Sequence, residues 1–236
     1  FGRMVVASLC FLPFLRSFTR MGVRRHHIFP LAAMCLCEPC LYFLFESAAL
    51  VHTAASQAAM ITTMLPLMVA LAAGLVLGER VSVRTVSGFV VAVAGAVWLS
   101  VAAGASGQAP NPALGNFFEF LAMVCATAYT ILMKQLSKTF HPFLLTGLQA
   151  FAGALFFAPA LLLAKVRVVA DLPVGGLLAV LYLGTVVSVG AYGLYNFGIS
   201  RIPASQAAAF VNLIPVFSIL LGFLILDERM TPWQLC

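Results

Sequence analysis

Five stretches of this chain contain no Asp, Glu, Lys or Arg: residues 47–78, 85–118, 139–164, 172–200 and 202–226. A helix needs about 20 predominantly apolar residues to cross the hydrocarbon core of a bilayer, and each stretch is longer than that. Composition points the same way. Charged residues are 8% of the 236 and hydrophobic ones 63%, where a soluble domain carries roughly a quarter charged. A water-soluble domain cannot hide that much apolar side chain, so a soluble enzyme is excluded. The fold class is an all-α polytopic membrane protein.

Eight spans are expected, at roughly 4–19, 28–51, 55–78, 83–103, 114–137, 143–165, 174–199 and 204–226. One connection differs in composition: Gly, Pro, Ser and Asn are concentrated in 104–113, which favours a loop and reads as a linker. The flanking segments, 1–103 and 114–236, read as two copies of one unit. Ala55-Ser-Gln-Ala-Ala59 recurs as Ala204-Ser-Gln-Ala-Ala208, an offset of 149. The same offset pairs Pro66 with Pro215, Glu79 with Glu228 and Arg80 with Arg229, and 11 of the 26 positions from 55 to 80 are identical. Carried along the chain, it leaves span 114–137 without a counterpart before Phe1 and span 83–103 without one after Cys236. The expectation is five helices per repeat, ten in all, with eight present here and the first and last missing.

An odd number of helices per repeat inverts the second repeat in the membrane. The basic residues agree. With the loop after the first span in the cytoplasm, Arg16, Arg20, Arg24, Arg25, Arg80, Arg84, Lys134, Lys138 and Arg201 lie inside, and Arg3, Lys165, Arg167 and Arg229 outside. Nine against four obeys the positive-inside rule. Inverted repeats around a midplane site are a recurring plan of secondary transporters.

A short polar step, Ala-Ser-x-Ala-Ala, a mid-helix Pro and then Leu-x-x-Glu-Arg occurs twice, as Ala55–Arg80 and Ala204–Arg229. This pattern resembles the EamA module of the drug/metabolite transporter superfamily. The resemblance implies a carrier of two inverted five-helix repeats that moves amino acids, metabolites or drugs.

Charge inside a span is costly and marks a cavity, a partner or a substrate path. Glu38, Glu46 and Glu119 are the acidic residues within spans. Glu38, Tyr42 and Glu46 recur every fourth residue and so share one face of a helix. They are the expected binding stripe for a cationic or amine-bearing solute, or for a proton. Pro39 removes a helical hydrogen bond beside Glu38. The equivalent helix of the second repeat offers Tyr192, Tyr195 and Asn196 as the facing wall. Pro66 and Pro215 are the expected kinks or hinges. Gln149 and Asn212 are expected to hydrogen-bond between helices, and Glu79-Arg80 to anchor a span end or form ion pairs. Gly74-x-x-x-Gly78 is a close-packing motif that serves a neighbouring helix or a homodimer.

Cys35, Cys37 and Cys40 point in different directions on a helix and read as apolar filler rather than a metal site. His-Glu-x-x-His and Gly-x-Ser-x-Gly are absent from the sequence, so no enzymatic activity is expected, and no cofactor. The net charge of +6 sits at helix ends, which is topology rather than a nucleic-acid stripe. The expected partners are therefore the lipid bilayer and a small-molecule solute, with no nucleic acid. The leading function is a secondary carrier of a small organic solute working by alternating access. The alternatives are a membrane enzyme acting on a lipid-linked substrate and a non-transporting membrane subunit. The basic, loop-poor character points to a bacterial inner membrane.

Overall fold

When outward faces meet lipid, helices need no polar coat, and small residues and buried polar contacts decide their packing. The computed structural model describes residues 1–19, 22–102, 109–163 and 174–213. In chain order, α1 is Gly2–Phe11 and α2 Leu15–Thr19. Next come α3, Arg25–Cys35, and α4, Tyr42–His52, joined by a widened turn at Leu36–Leu41. Ala55–Thr62 and Leu65–Leu77 form α5 and α6, and Val83–Ala102 forms α7. Pro112–Leu136 is α8 and Pro142–Leu163 is α9. Val174–Tyr182 (α10) and Tyr192–Arg201 (α11) flank a second widened turn at Leu183–Ala191, and α12 is Ala204–Ala209. Among the described residues, five stretches are long and apolar enough to span a bilayer: Arg25–His52, Gln57–Leu77, Pro112–Leu136, Pro142–Ala160 and Val174–Arg201. The protein is an all-α integral membrane protein. Pro215 and residues 104–108 of the expected linker lie outside the described residues.

The central post is α8, which packs against α3, α4, α5, α6, α7, α11 and α12. Its small residues allow this. A Cβ at Gly115 would stand 2.7 Å from the Thr53 backbone nitrogen, so only glycine lets α8 come so close to the α4–α5 connection. The Asn111 side chain accepts from the Leu114 N–H at 3.2 Å and caps α8. Met123 and Ala126 of α8 pack with Val69, Ala73, Ala204 and Ala208 in one buried cluster. Tyr129 and Met133 pack with Met34, Leu145 and Ile199 in another. Outward faces are apolar and bare: Leu75 is 89% exposed, Phe29 81% and Trp98 76%. In water such faces would be a liability; in a bilayer they are the solvent-matched surface.

α5 and α6 meet at Thr63–Met64, and buried Pro66 sits in the first turn of α6. The missing N–H of proline costs nothing at such a position. At its other end α6 stops at Gly78, whose left-handed backbone (φ 71°, ψ 22°) only glycine adopts freely. The chain reverses there, and this aims Glu79 back toward α12.

Candidate functional site

Two interrupted helices build the site. In the first, Pro39 has no N–H to give and restricts the residue before it. Glu38 is extended accordingly, with φ −144° and ψ 122°, between α3 and α4. Its backbone carbonyl, freed from the helix, accepts from the Gln149 side-chain amide of α9 at 3.0 Å. A Cβ at Gly153 would lie 2.7 Å from Pro39 Cγ, so α9 approaches the break through a residue without a side chain. In the second interruption, the Ser188 hydroxyl donates to the Leu183 carbonyl five residues back at 2.9 Å. It accepts in turn from Arg3 Nε at 3.1 Å.

The Glu38 carboxyl, 6% exposed, lies beside the Tyr192 hydroxyl. This pair stands between two spaces. On one side is a chamber of about 400 Å³ lined by Glu38, Tyr42, Thr62, Tyr129, Tyr192 and Tyr195, among others. On the other is a slot of about 20 Å³, bordered by Arg3, Glu38, Gln149, Ser188 and Tyr192. The slot has room for about one water, and the chamber for a small organic molecule. The Arg3 guanidinium lies 4.8 Å from the Phe43 ring centroid and 5.9 Å from that of Tyr192. Aromatic faces thus hold Arg3, the one cation bordering the slot among the described residues.

The expected site residues come together unequally. Glu38, Tyr42, Tyr192 and Tyr195 line the chamber. Glu46 meets it only through Tyr42, whose hydroxyl donates to Glu46 Oε1 at 2.9 Å. Asn196 is fully buried behind the wall. It accepts from the Tyr129 hydroxyl and donates to Thr146 Oγ1 at 2.9 Å and Gln149 Oε1 at 3.4 Å. These bonds tie α8, α9 and α11 together. Sequence reasoning missed Arg3, Ser188, Thr62 and Tyr129 as wall residues. Arg3 carried a usable signal, being an arginine at the edge of an apolar span.

At the end of the bundle bearing Arg80, Arg84 and Arg201, two side chains fasten the turn between α11 and α12. Glu79 Oε1 accepts from the Ala204 N–H at 2.7 Å, and Oε2 from the Ser205 N–H at 3.2 Å and the Ser205 hydroxyl at 2.5 Å. These are the orphan donors of a helix N-terminus. The Lys134 ammonium donates to the Ile199 and Ile202 carbonyls at 2.8 Å and to that of Ser200 at 3.4 Å, closing the other helix end. Partial burial pushes the Glu79 carboxyl up, but the Ser205 and Ala204 hydrogen bonds and the nearby Lys134 charge outweigh it. The group is held below its ordinary value.

Residues 1–101 and 113–236 match the family model described as the EamA-like transporter family. A Bacillus subtilis (strain 168) protein named uncharacterized transporter YcxC is 27% identical over an alignment of 235 positions, which covers 95% of this chain and 74% of that protein. A probable terminal-alkyne amino-acid exporter of Streptantibioticus cattleyicolor is 26% identical over 91% of this chain and 72% of its own length. One solved crystal structure shares the fold with a TM-score of 0.72 at 22% identity, covering 98% of this chain and 81% of the other.

Proposed function

Because the chain belongs to the EamA-like transporter family, we propose that it is a secondary carrier of a small amine-bearing organic solute, such as an amino acid, working by alternating access. The observation that carries this reading is the chamber of about 400 Å³ with the Glu38 carboxyl in its wall. A buried carboxylate in an aromatic-lined space recognises an ammonium group, and the tyrosine faces of Tyr42, Tyr192 and Tyr195 favour the same charge. A relative named for amino-acid export supports that solute class.

Motion comes from the interrupted helices. The turn at Thr63–Met64 before Pro66 leaves the regular helical ladder and Leu183–Ala191 widens it, and both absorb backbone change, whereas the break at Glu38 is held from α9 by Gln149. Pro215, the counterpart of Pro66 at the offset of 149, lies outside the described residues. Glu79 and Lys134 hold one end of the bundle shut in this conformation, and the density of arginines there marks it as the cytoplasmic end. Bacterial relatives support an inner-membrane location.

Counterflow tests the proposal. Proteoliposomes holding the full chain, preloaded with single amino acids or simple amines, should accumulate the matching labelled solute, and Glu38→Gln should lower that accumulation by about tenfold or more. Counterflow of a solute without an amine, unaffected by Glu38→Gln, would sink the reading.

A further inference from the structure

Glu119 takes no part in the wall just described, yet it is a carboxyl buried in mid-bundle and 2% exposed. Its Oε1 lies 2.9 Å from Thr62 Oγ1. Its Oε2 is buried with no hydrogen-bond partner among the described residues. The Thr62 hydroxyl has a second acceptor within reach, the Ala58 carbonyl one turn back on its own helix at 3.1 Å. A hydroxyl owns one hydrogen and cannot give it to both. If Thr62 gives it to Ala58, the 2.9 Å contact needs a hydrogen from the carboxyl itself.

Desolvation decides between the two arrangements. An ionised carboxylate here would hold one hydrogen bond and no cation among the described residues, and burying such a charge uncompensated is strongly unfavourable. A neutral acid donates from Oε1 to Thr62 and leaves Oε2 as a carbonyl oxygen, the cheapest group to leave unpartnered. The surroundings offer no compensating charge among the described residues. Tyr42 and Glu46 face Glu119 from α4. α5, α6 and α12 carry no titratable side chain. Arg84 begins α7, and Arg25, His26 and His27 begin α3, with His27 packed on Phe140 beyond the far end of α8. Glu38 of the first widened turn and Tyr195 of α11 sit further along, beside Tyr129.

Thr62 also lines the chamber. Its oxygen therefore stands between chamber water and the buried acid. We propose that Glu119 is a proton-carrying site, loaded and emptied from the chamber through the Thr62 hydroxyl, and that it couples solute movement to a proton gradient. Loading takes one proton from chamber water. A new O–H bond forms on Thr62 from the chamber side as its old O–H bond breaks toward Glu119, so the hydroxyl ends unchanged and the carboxylate becomes an acid. Emptying runs the same exchange backwards. Thr62 is the last residue of α5, directly before the turn at Thr63–Met64, so a change of backbone there separates relay from acid. The word coupling rests on the carrier reading; the proton does not.

Infrared spectroscopy of the full chain in lipid vesicles at neutral pH reads the proton without any solute. Wild type should show the carbonyl-stretch band of an un-ionised carboxylic acid, missing in Glu119→Gln and kept in Glu46→Gln. Should Glu119→Gln fail to insert, Glu119→Asp replaces it: a shifted band supports the proposal and an unshifted one overturns it. On transfer to D₂O, Thr62→Val should keep the band but slow its isotope shift by about a hundredfold, the scale of a positioned proton-transfer group. A wild type without the band, or a band that survives Glu119→Gln, overturns the proton site. Unchanged exchange in Thr62→Val overturns the relay. Failed counterflow with every solute would sink the carrier reading and leave the band where it is.

Discussion

The two widened turns occupy equivalent places in the repeat: the offset of 149 maps 36–41 onto 185–190, within Leu183–Ala191. They are built differently. The first is imposed by a proline, and its extended Glu38 leaves a carbonyl that another helix must satisfy through Gln149. The second has no proline. Ser188 answers its own helix at the Leu183 carbonyl, between Gly184 and Gly190. The first break is held from outside and is rigid; the second is self-satisfied and able to yield. One repeat thus supplies a fixed acid and the other a movable tyrosine, facing each other as Glu38 and Tyr192. A duplicated helix has divided its labour.

That contrast is breakable, and Glu38→Gln should do it most completely. A lost hydrogen bond to a charged group costs about 1.5–3 kcal/mol, so counterflow at low solute should fall roughly 10- to 150-fold. Replacing the external support comes next. Gln149→Leu orphans the Glu38 carbonyl and takes one of two acceptors from the Asn196 amide, and should destabilise the protein by about 2 kcal/mol, read as a lower unfolding midpoint in micelles. Ser188→Ala probes the self-satisfied turn and should cost about 1 kcal/mol or less. An equal loss in Gln149→Leu and Ser188→Ala would erase the distinction between the two breaks. The smallest effect lies outside both. Because the Glu79 carboxyl sits below its ordinary value of 4.5, its contribution is complete above that value and is lost as pH falls through the lowered one. The stability gap between wild type and Glu79→Gln should therefore be constant near neutrality and shrink in acid. A gap that widened on acidification would reverse the sign of that argument.

The spans were legible because charge-free runs report burial in lipid directly: expected 28–51 and 174–199 correspond to Arg25–His52 and Val174–Arg201. Period and proline brought out Glu38 and Tyr42, since both signals are local. Tyr192 and Tyr195 emerged from the repeat, which carries a position in one half onto the other. Asn196 shows where this stops. Spacing placed it beside Tyr192, but only the packing of α9 decides that it meets Gln149 and Thr146 instead of the chamber. Glu79 was read as an anchor or an ion-pair partner, and its ligands are backbone N–H groups. Every residue owns such a donor, so no pattern of side chains announces it. The Thr62–Glu119 contact joins residues 57 apart, beyond the reach of periodicity.

The Glu79 contact also sets different rules for its two sides under mutation. A carboxylate that reads backbone donors asks everything of position 79 and little of its partners. Ser205→Ala removes one hydroxyl and keeps both N–H groups, and any residue small enough for the buried position of Ala204 leaves the donor intact. Proline is the exception, because it alone abolishes the N–H. The latch is thus written in one codon on one repeat and asks only for small residues on the other, so exchange among small side chains on α12 leaves it working while a single change at Glu79 opens it.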